Sequence, residues 1–567
     1  MEKRVLLAIV LSFLVLYGYQ LLVPPPKPQP RPATPAPAPA PATAEPQAVE
    51  REKEPESAPA AQPLVADASE RDIVVENGAV HAVFTTRGGV LTHWRLKRFA
   101  AEDGTPLDLV PPKAPAGAAK PFTVSVGEPA VDATLARALF KPSTDALDVS
   151  AGGTLTFEYS DVSGLTATKT FVFAPDRPYE LDVSIAIARN GTPLNPVVGW
   201  GPALGTGIVS SGLTYAPSPR PVFYKDGDVT RVDFDDVAET RSVEGTFLFA
   251  GVDDHYFLTA AIPTGPLHVE YAPVAVPVEG ADRGLQFVSW SARYPSAPTN
   301  ARFFAGPKDF DVLKGVHPEL TRAIDFGIFS WLVVPLLNAL KWVNGYVGNY
   351  GWSIVVLTIL INLVMFPLRH KSVVSMRKMQ VLQPEVKAIQ DRYSKLKMSD
   401  PARQKMNVEL MNLYRERGVN PASGCVPMLL TLPVLFGFYS MLSVAIELRG
   451  APFIGWIKDL SVYDPWFVTP VLMGVTQFVQ TKMTPASTDP QQQKIMLFMP
   501  LIFMTMFIWA PSGLVLYWTV SNLWAIGQQT LTNRLIGPAP QRSVRPAAER
   551  RVKSAGGGRT DAARERK

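Results

Sequence analysis

The sequence is almost free of cysteine, and it lacks the short motifs of common enzymes. Its single cysteine, Cys425, excludes an internal disulfide and a cysteine-rich metal site. No GxxxxGKS/T phosphate loop, HExxH zinc motif or GxSxG nucleophile elbow occurs along the 567 residues. The six histidines are scattered singly, which is typical of surface or core positions rather than of metal ligands. We therefore expect no enzyme activity, no metal and no cofactor.

Charged residues are also scarce, at 19% of the chain, which indicates that part of it lies in lipid. The first apolar run, Val5–Val23, follows Lys3 and Arg4 and spans nineteen residues. A cleavable signal peptide has a shorter apolar core, of ~7–15 residues. We predict an uncleaved transmembrane signal anchor at 1–23 that begins in the cytoplasm, with cleavage in the Ala-rich sequence beyond it as the alternative.

The composition then changes twice before residue 318. Residues 24–70 are rich in Pro and Ala, which favours extended polyproline II and predicts a stiff linker. Residues 71–317 contain stretches in which every second residue is apolar, such as LTFEYSDVSGLTATKTFVF, broken by Gly, Asn and Asp. This alternation is typical of half-buried antiparallel strands, and it predicts a large all-β sandwich domain.

The rest of the chain is apolar and helical in pattern. At 318–350, a twelve-residue apolar block followed by Lys and aromatic residues predicts a helix at the membrane interface. Residues 351–533 hold five candidate spans, so that with the anchor we predict six transmembrane helices. Several are shorter than the ~20 residues that a bilayer requires, which favours local membrane thinning. The five spans are 352–368, 426–446, 467–483, 495–510 and 513–531.

Charge predicts the orientation of these spans. Residues 369–425 carry twelve Lys and Arg against five Asp and Glu, a net charge of +7, whereas 448–466 is neutral. The positive-inside rule places 369–425 in the cytoplasm, so that six spans leave both termini in the cytoplasm and the β domain outside. A crossing by the interfacial block would reverse this orientation.

The basic loop at 369–425 has a helical periodicity of its own. Apolar residues at 3–4 spacing predict two amphipathic helices joined as an antiparallel hairpin. The hairpin is either a solvated connector whose apolar faces pair with each other, or a docking surface. The candidate docking residues are Val386, Ile389, Tyr393, Met406, Leu410 and Leu413. The basic tail at 534–567 has little apolar content and could contact anionic lipid or ribosomal RNA.

Polar side chains recur on one face of several candidate spans. Thr358 and Asn362, for example, are four residues apart and so share a helix face. Such residues either join helices by hydrogen bonds or line a wet cavity, and polar faces on three helices favour the cavity. No span has an acidic residue at its middle, which argues against an ion-coupled transporter. The candidate cavity residues are Thr358, Asn362, Thr431, Thr476, Gln477, Gln480, Tyr517, Trp518 and Ser521.

Long stretches of the sequence, in order, resemble one known family. They include LQPEVKAIQDRY at 382–393, NPASGCVPMLLTLPVLFGFY at 420–439 and DPQQQKIMLFMPLIFMTMFIWAPSGLVLYWTVSNLWAIGQQ at 489–529. Upstream, YFLTAAIP at 256–263 and FFAGPKDFDVLKGV at 303–316 belong to the same resemblance. Nearly the whole chain is similar to the YidC membrane protein insertases of Gram-negative bacteria, in the YidC/Oxa/Alb family, with the linker and tail least similar.

The resemblance implies a polytopic α-helical protein of the bacterial inner membrane with a periplasmic β-supersandwich, an interfacial helix and a five-helix insertase core. In this family the core encloses a hydrophilic groove that is open to the cytoplasm and to lipid, and the hairpin is thought to receive substrate. The implied function is passive insertion and folding of membrane proteins without nucleotide hydrolysis. The implied partners are nascent inner-membrane proteins, the Sec translocon, the ribosome and the phospholipid bilayer, with no DNA.

The sequence departs from the family at the middle of the groove. Members usually have a basic residue, most often arginine, at the position that matches Asn362. An amide binds water but offers no positive charge to an acidic segment. We therefore expect hydration and membrane thinning to carry more of the insertion than electrostatic capture does. Arg369 and Lys371 are expected farther on, at the cytoplasmic mouth.

Two other functions fit part of the sequence. A small-solute transporter would use the same spans, although no intramembrane carboxylate or inverted repeat favours it. A membrane-tethered carbohydrate-binding module would use the β domain, because similar large sandwiches bind sugars.

Overall fold

The computed structural model describes residues 62–101, 103–115, 117–204, 218–277, 284–297, 300–393, 402–419, 426–483 and 490–536. The predicted anchor at 1–23, most of the predicted linker at 24–70 and most of the basic tail at 534–567 lie outside the described residues.

The described chain begins with a domain made of strands. In chain order these are β1 (Pro63–Val65), β2 (Asp72–Glu76), β3 (Val80–Thr85), β4 (Val90–Ala100), β5 (Pro106–Asp108), β6 (Thr123–Ser125), β7 (Lys141–Pro142), β8 (Ala146–Asp148), β9 (Gly153–Asp161), β10 (Leu165–Phe173), β11 (Glu180–Arg189), β12 (Thr192–Leu194), β13 (Val197–Ala203), β14 (Arg220–Lys225), β15 (Asp228–Arg231), β16 (Ser242–Thr246), β17 (Phe249–Asp253), β18 (Phe257–Ile262), β19 (Pro266–Val276), β20 (Leu285–Arg293) and β21 (Ala301–Pro307).

These strands form three sheets. The largest has the order β1-β9-β10-β11-β21-β18-β17-β14-β15, with β7 attached to β9 and β12 to β11. The other two are β16-β19-β20-β13-β6 and β5-β4-β3-β2-β8. Neighbouring strands such as β10 and β11 run antiparallel, whereas β2 and β8 run parallel. The predicted all-β domain is confirmed, and its first strand lies inside the stretch that the composition assigns to the linker.

Burial follows the alternation of the sequence. In β10, Leu165, Ala167, Lys169, Phe171 and Phe173 are buried, and the residues that alternate with them are more exposed. Successive side chains of a strand point to opposite faces of the sheet, so this face packs into the core. The core is continuous between the sheets, and the indole nitrogen of Trp94 in β4 donates to the carbonyl oxygen of Ala305 in β21 at 2.9 Å.

One lysine shares the buried face of β10. Lys169 is 1% exposed, and its Nζ donates to the carbonyl oxygens of Gly88 at 2.7 Å and Phe122 at 2.8 Å. Gly88 precedes β4 and Phe122 precedes β6, so this ammonium group joins all three sheets. Burial lowers the pKa of Lys169 to about 7, because the described residues supply no carboxylate to offset the loss of hydration.

Helices make up most of the remaining described chain. They are α1 (Pro129–Arg137), α2 (Phe310–Val316), α3 (Ser330–Val347), α4 (Tyr350–Tyr393), α5 (Ala402–Glu416), α6 (Val426–Val444), α7 (Val468–Met483), α8 (Pro490–Met506) and α9 (Ser512–Ile536), with 3₁₀ turns at Phe234–Asp236, Pro318–Ala323, Gly327–Phe329 and Ile446–Leu448.

The first predicted core span and the first helix of the hairpin form one helix. α4 continues from Tyr350 to Tyr393 through Pro367 and Pro384. The sequence pattern instead suggests a span at 352–368 followed by a separate hairpin at 369–425. Pro367 has no N–H to donate to the carbonyl oxygen of Leu363, so the helix is missing one hydrogen bond there and still continues. Here the Gln528 amide in α9 donates to the carbonyl oxygen of Phe366 at 3.3 Å.

Helix length bears on the number of membrane crossings. In the part of the chain that the structure describes, one stretch, Tyr350–Ser375, is long and apolar enough to cross a membrane. Pro433–Val444 and Met496–Met506 are shorter apolar helices. α7 and α8 have 16 and 17 residues, and at ~1.5 Å per residue both are shorter than the ~30 Å hydrocarbon core. The six spans and the local thinning stay predictions.

Candidate functional site

Three helices of the core are joined by hydrogen bonds between side chains. α9 packs along both α4 and α7. The indole nitrogen of Trp518 in α9 donates to the Gln477 amide oxygen in α7 at 3.0 Å, and the Asn522 amide donates to the Thr476 hydroxyl at 3.3 Å. These bonds cross the interface between the two helices, so they fix α9 against α7.

A cavity of about 370 Å³ lies between these three helices and α6. It is partly open, and it contains six of the nine candidate cavity residues: Asn362, Gln477, Gln480, Tyr517, Trp518 and Ser521. The structure therefore brings together polar residues from α4, α7 and α9 that lie up to 159 positions apart in the sequence. Its other lining residues are Ile361, Met365, Arg369, Ser372, Val373, Val434, Leu435, Asn522, Ala525, Gln528 and Gln529.

The three remaining candidates are not among the lining residues. Thr358 is completely buried, and its hydroxyl donates to the carbonyl oxygen of Ile354 at 2.6 Å. The Thr476 hydroxyl likewise donates to the carbonyl oxygen of Leu472 at 2.9 Å. A threonine in a helix readily bonds the preceding turn, which removes its hydroxyl from the cavity. The side chain of Thr431 lies outside the described residues.

Arg369 places a positive charge inside the cavity. Its guanidinium donates to the Asn362 amide oxygen at 2.8 Å, although the two residues are seven positions apart. Side chains on a helix lean toward its N-terminus, so Arg369 reaches back along α4 past about two turns. The expectation that Arg369 stays at the mouth and leaves the middle of the cavity uncharged is thus not met. Spacing of three or four residues, the usual criterion for a shared face, does not detect such a long reach.

The direction of this side chain is unusual for a basic residue near the end of a membrane helix. Lys and Arg normally extend toward the membrane surface and keep the charge in bulk water. Arg369 extends toward the interior of the helical core instead, and the described lining residues include no Asp or Glu to neutralise it. An arginine held in this way requires water or an anionic group beside it.

Apolar packing adjoins the cavity at the contact between α6 and α9. The Phe438 ring of α6 stacks on the Tyr517 ring of α9, with centroids 4.3 Å apart. Ile354 and Leu357 of α4 and Leu514 of α9 are also buried.

The candidate docking residues of the predicted hairpin lie on α4 and α5. Val386 and Ile389 of α4 are 4% and 6% exposed. The Tyr393 hydroxyl donates to Glu409 in α5 at 3.2 Å. Met406, Leu410 and Leu413 on α5 are half-buried. These contacts fit the alternative in which the two apolar faces pair with each other, and a role in docking stays a prediction.

Two family models match the chain. Residues 72–339 match the YidC periplasmic domain, and residues 342–539 match the 60Kd inner membrane protein. The membrane protein insertase YidC of Geobacter metallireducens is 35% identical over 556 residues, which cover 95% of this chain and 99% of that protein. This chain belongs to the YidC membrane protein insertase family. The YidC of Syntrophus aciditrophicus is 36% identical over 563 residues, which cover 94% of this chain and 100% of that protein.

Family membership confirms the resemblance found in the sequence. It identifies the β-sandwich as the periplasmic domain and the helical part as an inner-membrane domain. One solved structure is that of an active YidC insertase with its first transmembrane domain resolved. The alignment covers 83% of this chain and 95% of that chain, at 20% sequence identity. Its TM-score of 0.34 is too low to compare the arrangement of individual helices.

Proposed function

We propose that the protein inserts proteins into the inner membrane by receiving a polar segment of the cargo in the cavity between α4, α6, α7 and α9. The observation that carries this proposal is a partly open cavity with amides, hydroxyls and one arginine, set within helices whose outer surfaces are apolar. The apolar helix of the cargo then leaves sideways into lipid, and its partitioning drives the reaction. No bond is broken and no nucleotide is hydrolysed.

The cavity lowers the cost of moving polar groups through hydrocarbon. A charged residue at the centre of a bilayer costs about 2.5–3.5 kcal/mol on insertion scales. Water and amide groups part of the way across replace some of the lost hydration, so a polar tail faces a thinner apolar barrier. The short helices α7 and α8 act in the same direction, because a short apolar surface favours a thin bilayer.

Arg369 restores electrostatic capture to this mechanism. Its guanidinium lies in the cavity and donates a hydrogen bond to the Asn362 amide, so it can attract a carboxylate of the cargo. Asn362 keeps it at that depth by accepting one of its hydrogen bonds. The charge that the family usually carries at the position of Asn362 is thus supplied from seven residues farther along the same helix.

The membrane orientation and the partners complete the proposal. Both termini and the hairpin lie in the cytoplasm, because the net charge of +7 at 369–425 opposes transfer. The basic tail contacts the ribosome or anionic lipid, and the protein acts alone or with the Sec translocon. The resemblance to the family supports these partners, as does the charge of the tail.

Photo-crosslinking tests whether cargo enters the cavity. Crosslinkers at Asn362, Tyr517 and Ser521 should label a stalled single-span cargo during insertion. The matched controls are Leu363 and Val364 on the outer face of α4, which are 55% and 76% exposed. Labelling from the cavity positions no stronger than from these controls would contradict the proposal.

A further inference from the structure

The segment between α6 and α7, residues 445–467, is folded into the helical core. Leu448 and Leu460 are completely buried in the same apolar core as Ile354 of α4 and Leu514 of α9. One stretch of chain therefore packs against helices that are far apart in the sequence. We call residues 445–467 the outer clasp.

The outer clasp lies on the side of the core that faces the periplasmic β domain. Arg449 donates to the carbonyl oxygen of Ala100 in β4 at 3.2 Å, and its guanidinium lies 4.9 Å from the centroid of the Phe257 ring in β18. Just before the clasp, His255 of the β domain lies 2.6 Å from the carbonyl oxygen of Ser443 in α6. These contacts form the junction between the β domain and the core, and they place the clasp at the periplasmic end of the core helices.

α4 and α9 are both tied to the clasp where they begin. The Asn349 amide, just before α4, donates to the carbonyl oxygen of Pro452 at 3.0 Å, and its oxygen accepts from the backbone N–H of Trp352 at 3.1 Å. Ser512, the first residue of α9, donates to the carbonyl oxygen of Val462 from its N–H at 2.7 Å and from its hydroxyl at 2.8 Å. The first N–H groups of a helix have no partner within it, so these contacts stabilise both helix ends.

Asp464 ties the clasp to α7. It is 1% exposed, and its carboxylate accepts from the Trp456 indole at 2.9 Å and from the backbone N–H groups of Trp466 at 3.0 Å and Thr469 at 2.8 Å. Burial alone would raise the pKa of Asp464, but the hydrogen bonds from Thr469 and Trp466 keep it below its ordinary value. The carboxylate is therefore ionised where it caps the positive N-terminus of α7.

The backbone between Asp464 and α7 has an uncommon conformation. Phe467 has a φ of +55°, in the left-handed region that residues other than glycine rarely adopt. Its ring stacks on that of Tyr463, with centroids 6.1 Å apart, and lies edge-on to Trp509, which follows α8, at 5.5 Å. Such a conformation persists where surrounding contacts hold it, so these contacts give the clasp a defined shape.

All four helices that line the cavity thus meet the outer clasp. α6 leads into it, α7 follows it, and α4 and α9 are tied to it by hydrogen bonds. The cavity residue of α9 nearest to the clasp is Tyr517, five residues after Ser512 and so about 8 Å along the helix. If the ends of the helices separated, water from the periplasm would have only this short distance to pass.

We propose that the outer clasp keeps the cavity closed to the periplasm, with Asp464 as its main positioning residue. The walls of the cavity then part only away from the clasp, and ions do not leak across the membrane while a polar segment is inside. This inference goes beyond the proposed function, because it assigns the closure of the cavity to particular residues and holds with or without cargo.

Labelling of a cysteine in the cavity tests this closure. In a Cys425→Ser background, Ser521→Cys reports the access of a membrane-impermeant maleimide, which is added to spheroplasts for the periplasmic side or to inverted membrane vesicles for the opposite side. With the native clasp, labelling should be faster from the opposite side. Asp464→Ala should raise periplasmic labelling about tenfold, since it removes three hydrogen bonds to a charged group.

Matched controls are available for two attachments of the clasp. Asp459→Ala is the control for Asp464→Ala, because Asp459 accepts hydrogen bonds from the N–H and hydroxyl of Ser461, inside the clasp. Gly351→Ala tests the attachment of α4, since the added carbon would lie 2.1 Å from the Phe453 ring and must displace it. Its control is Gly345→Ala on α3, where the added carbon meets open space among the described residues. Gly351→Ala should raise periplasmic labelling, and neither control should.

A conservative variant shows whether the carboxylate acts through its hydrogen bonds. Asp464→Asn keeps one oxygen for Trp456 and Trp466 and loses the acceptor for Thr469, so periplasmic labelling should rise less than with Asp464→Ala. If Asp464→Ala fails to accumulate in the membrane, Asp464→Asn and Gly351→Ala still provide the comparison.

Labelling from the two sides separates closure from general stability. An equal rise from both sides would show a general loosening of the core and overturn the role of the clasp. Periplasmic labelling of the native protein as fast as labelling from the opposite side would overturn the closure itself, and so would unchanged labelling in both Asp464→Ala and Gly351→Ala. The proposed function is tested separately, by crosslinking of cargo with the native clasp, so each can fail without the other.

Discussion

Replacing Arg369 by glutamine should slow the insertion of cargo with an acidic tail. The guanidinium of Arg369 lies 2.8 Å from the Asn362 amide oxygen, inside a cavity whose described lining has no carboxylate. Glutamine keeps a polar side chain, although a shorter one, and removes the charge. The loss should therefore be specific for cargo with negative charge, whereas hydration of the cavity should change little.

The size of the effect follows from the position of the charge. A cargo carboxylate about 4 Å from the guanidinium gains about 4 kcal/mol at an effective dielectric constant of about 20. Removing both groups from water offsets much of this gain. A net electrostatic gain of about 1.4 kcal/mol after this desolvation cost corresponds to about a tenfold difference in the rate of insertion between acidic and neutral tails.

The assay uses proteoliposomes and two single-span cargoes that differ only in two tail residues, Asp in one and Asn in the other. Protease protection of the tail reports insertion. The matched control is Lys371→Gln. It removes an exposed cation that lies on the same helix, two residues after Arg369. Asn362→Leu should give a smaller, selective loss, because it removes the acceptor that holds Arg369 in place.

Moving the charge gives a second comparison. Asn362→Arg combined with Arg369→Gln should recover insertion of the acidic cargo, since the cavity again contains one cation. Asn362→Arg alone places two cations together and should help less. Equal effects of Arg369→Gln and Lys371→Gln, or equal loss for acidic and neutral tails, would refute electrostatic capture by Arg369.

Three further predictions concern contacts elsewhere. Burial lowers the pKa of His255 to about 4. As the pH falls below about 6.5, a His255 side chain that has left its contact with Ser443 therefore takes up a proton more readily than a buried one does. The contact with Ser443 should therefore weaken between pH 6.5 and 4, measured as faster limited proteolysis at the junction, and His255→Gln should abolish this pH dependence. Burial lowers the pKa of Lys169 to about 7, so the lysine binds a proton more readily in the unfolded chain. The stability of the β domain should therefore rise from pH 7 to about 10. Thermal melts measure this rise, and Lys169→Met should remove it. Trp518→Phe removes the hydrogen bond to α7 and should cost about 1 kcal/mol of stability in chemical denaturation, whereas Trp331→Phe, at a side chain that is 68% exposed, should cost less.

The polar faces of the spans were predictable because helical spacing is a property of the sequence alone. Asn362, Gln477 and Ser521 lie on such faces and do line the cavity. Thr358 and Thr476 also lie on them, yet their hydroxyls bond the preceding turn of their own helices. Periodicity cannot distinguish polar residues that line the cavity from those that bond their own helix, because both lie on the same helix face. The packing of the next helix decides which of the two a residue does.

The sequence by itself determined the strand-rich domain, the order of the helices and the excess of basic residues at 369–425, because each depends on neighbours along the chain. Only the tertiary structure decided that α4 continues through Pro367, a residue that local sequence treats as a helix end, and that Gln528 of α9 packs beside it and donates to the carbonyl oxygen of Phe366. The tertiary structure also decided the direction of the Arg369 side chain, which is long enough to extend either way along the helix. It lies beside Asn362 because of the space that α6, α7 and α9 leave between them. Local spacing decides which face of a helix is polar, and packing between distant segments decides which of those polar groups remain available to a ligand.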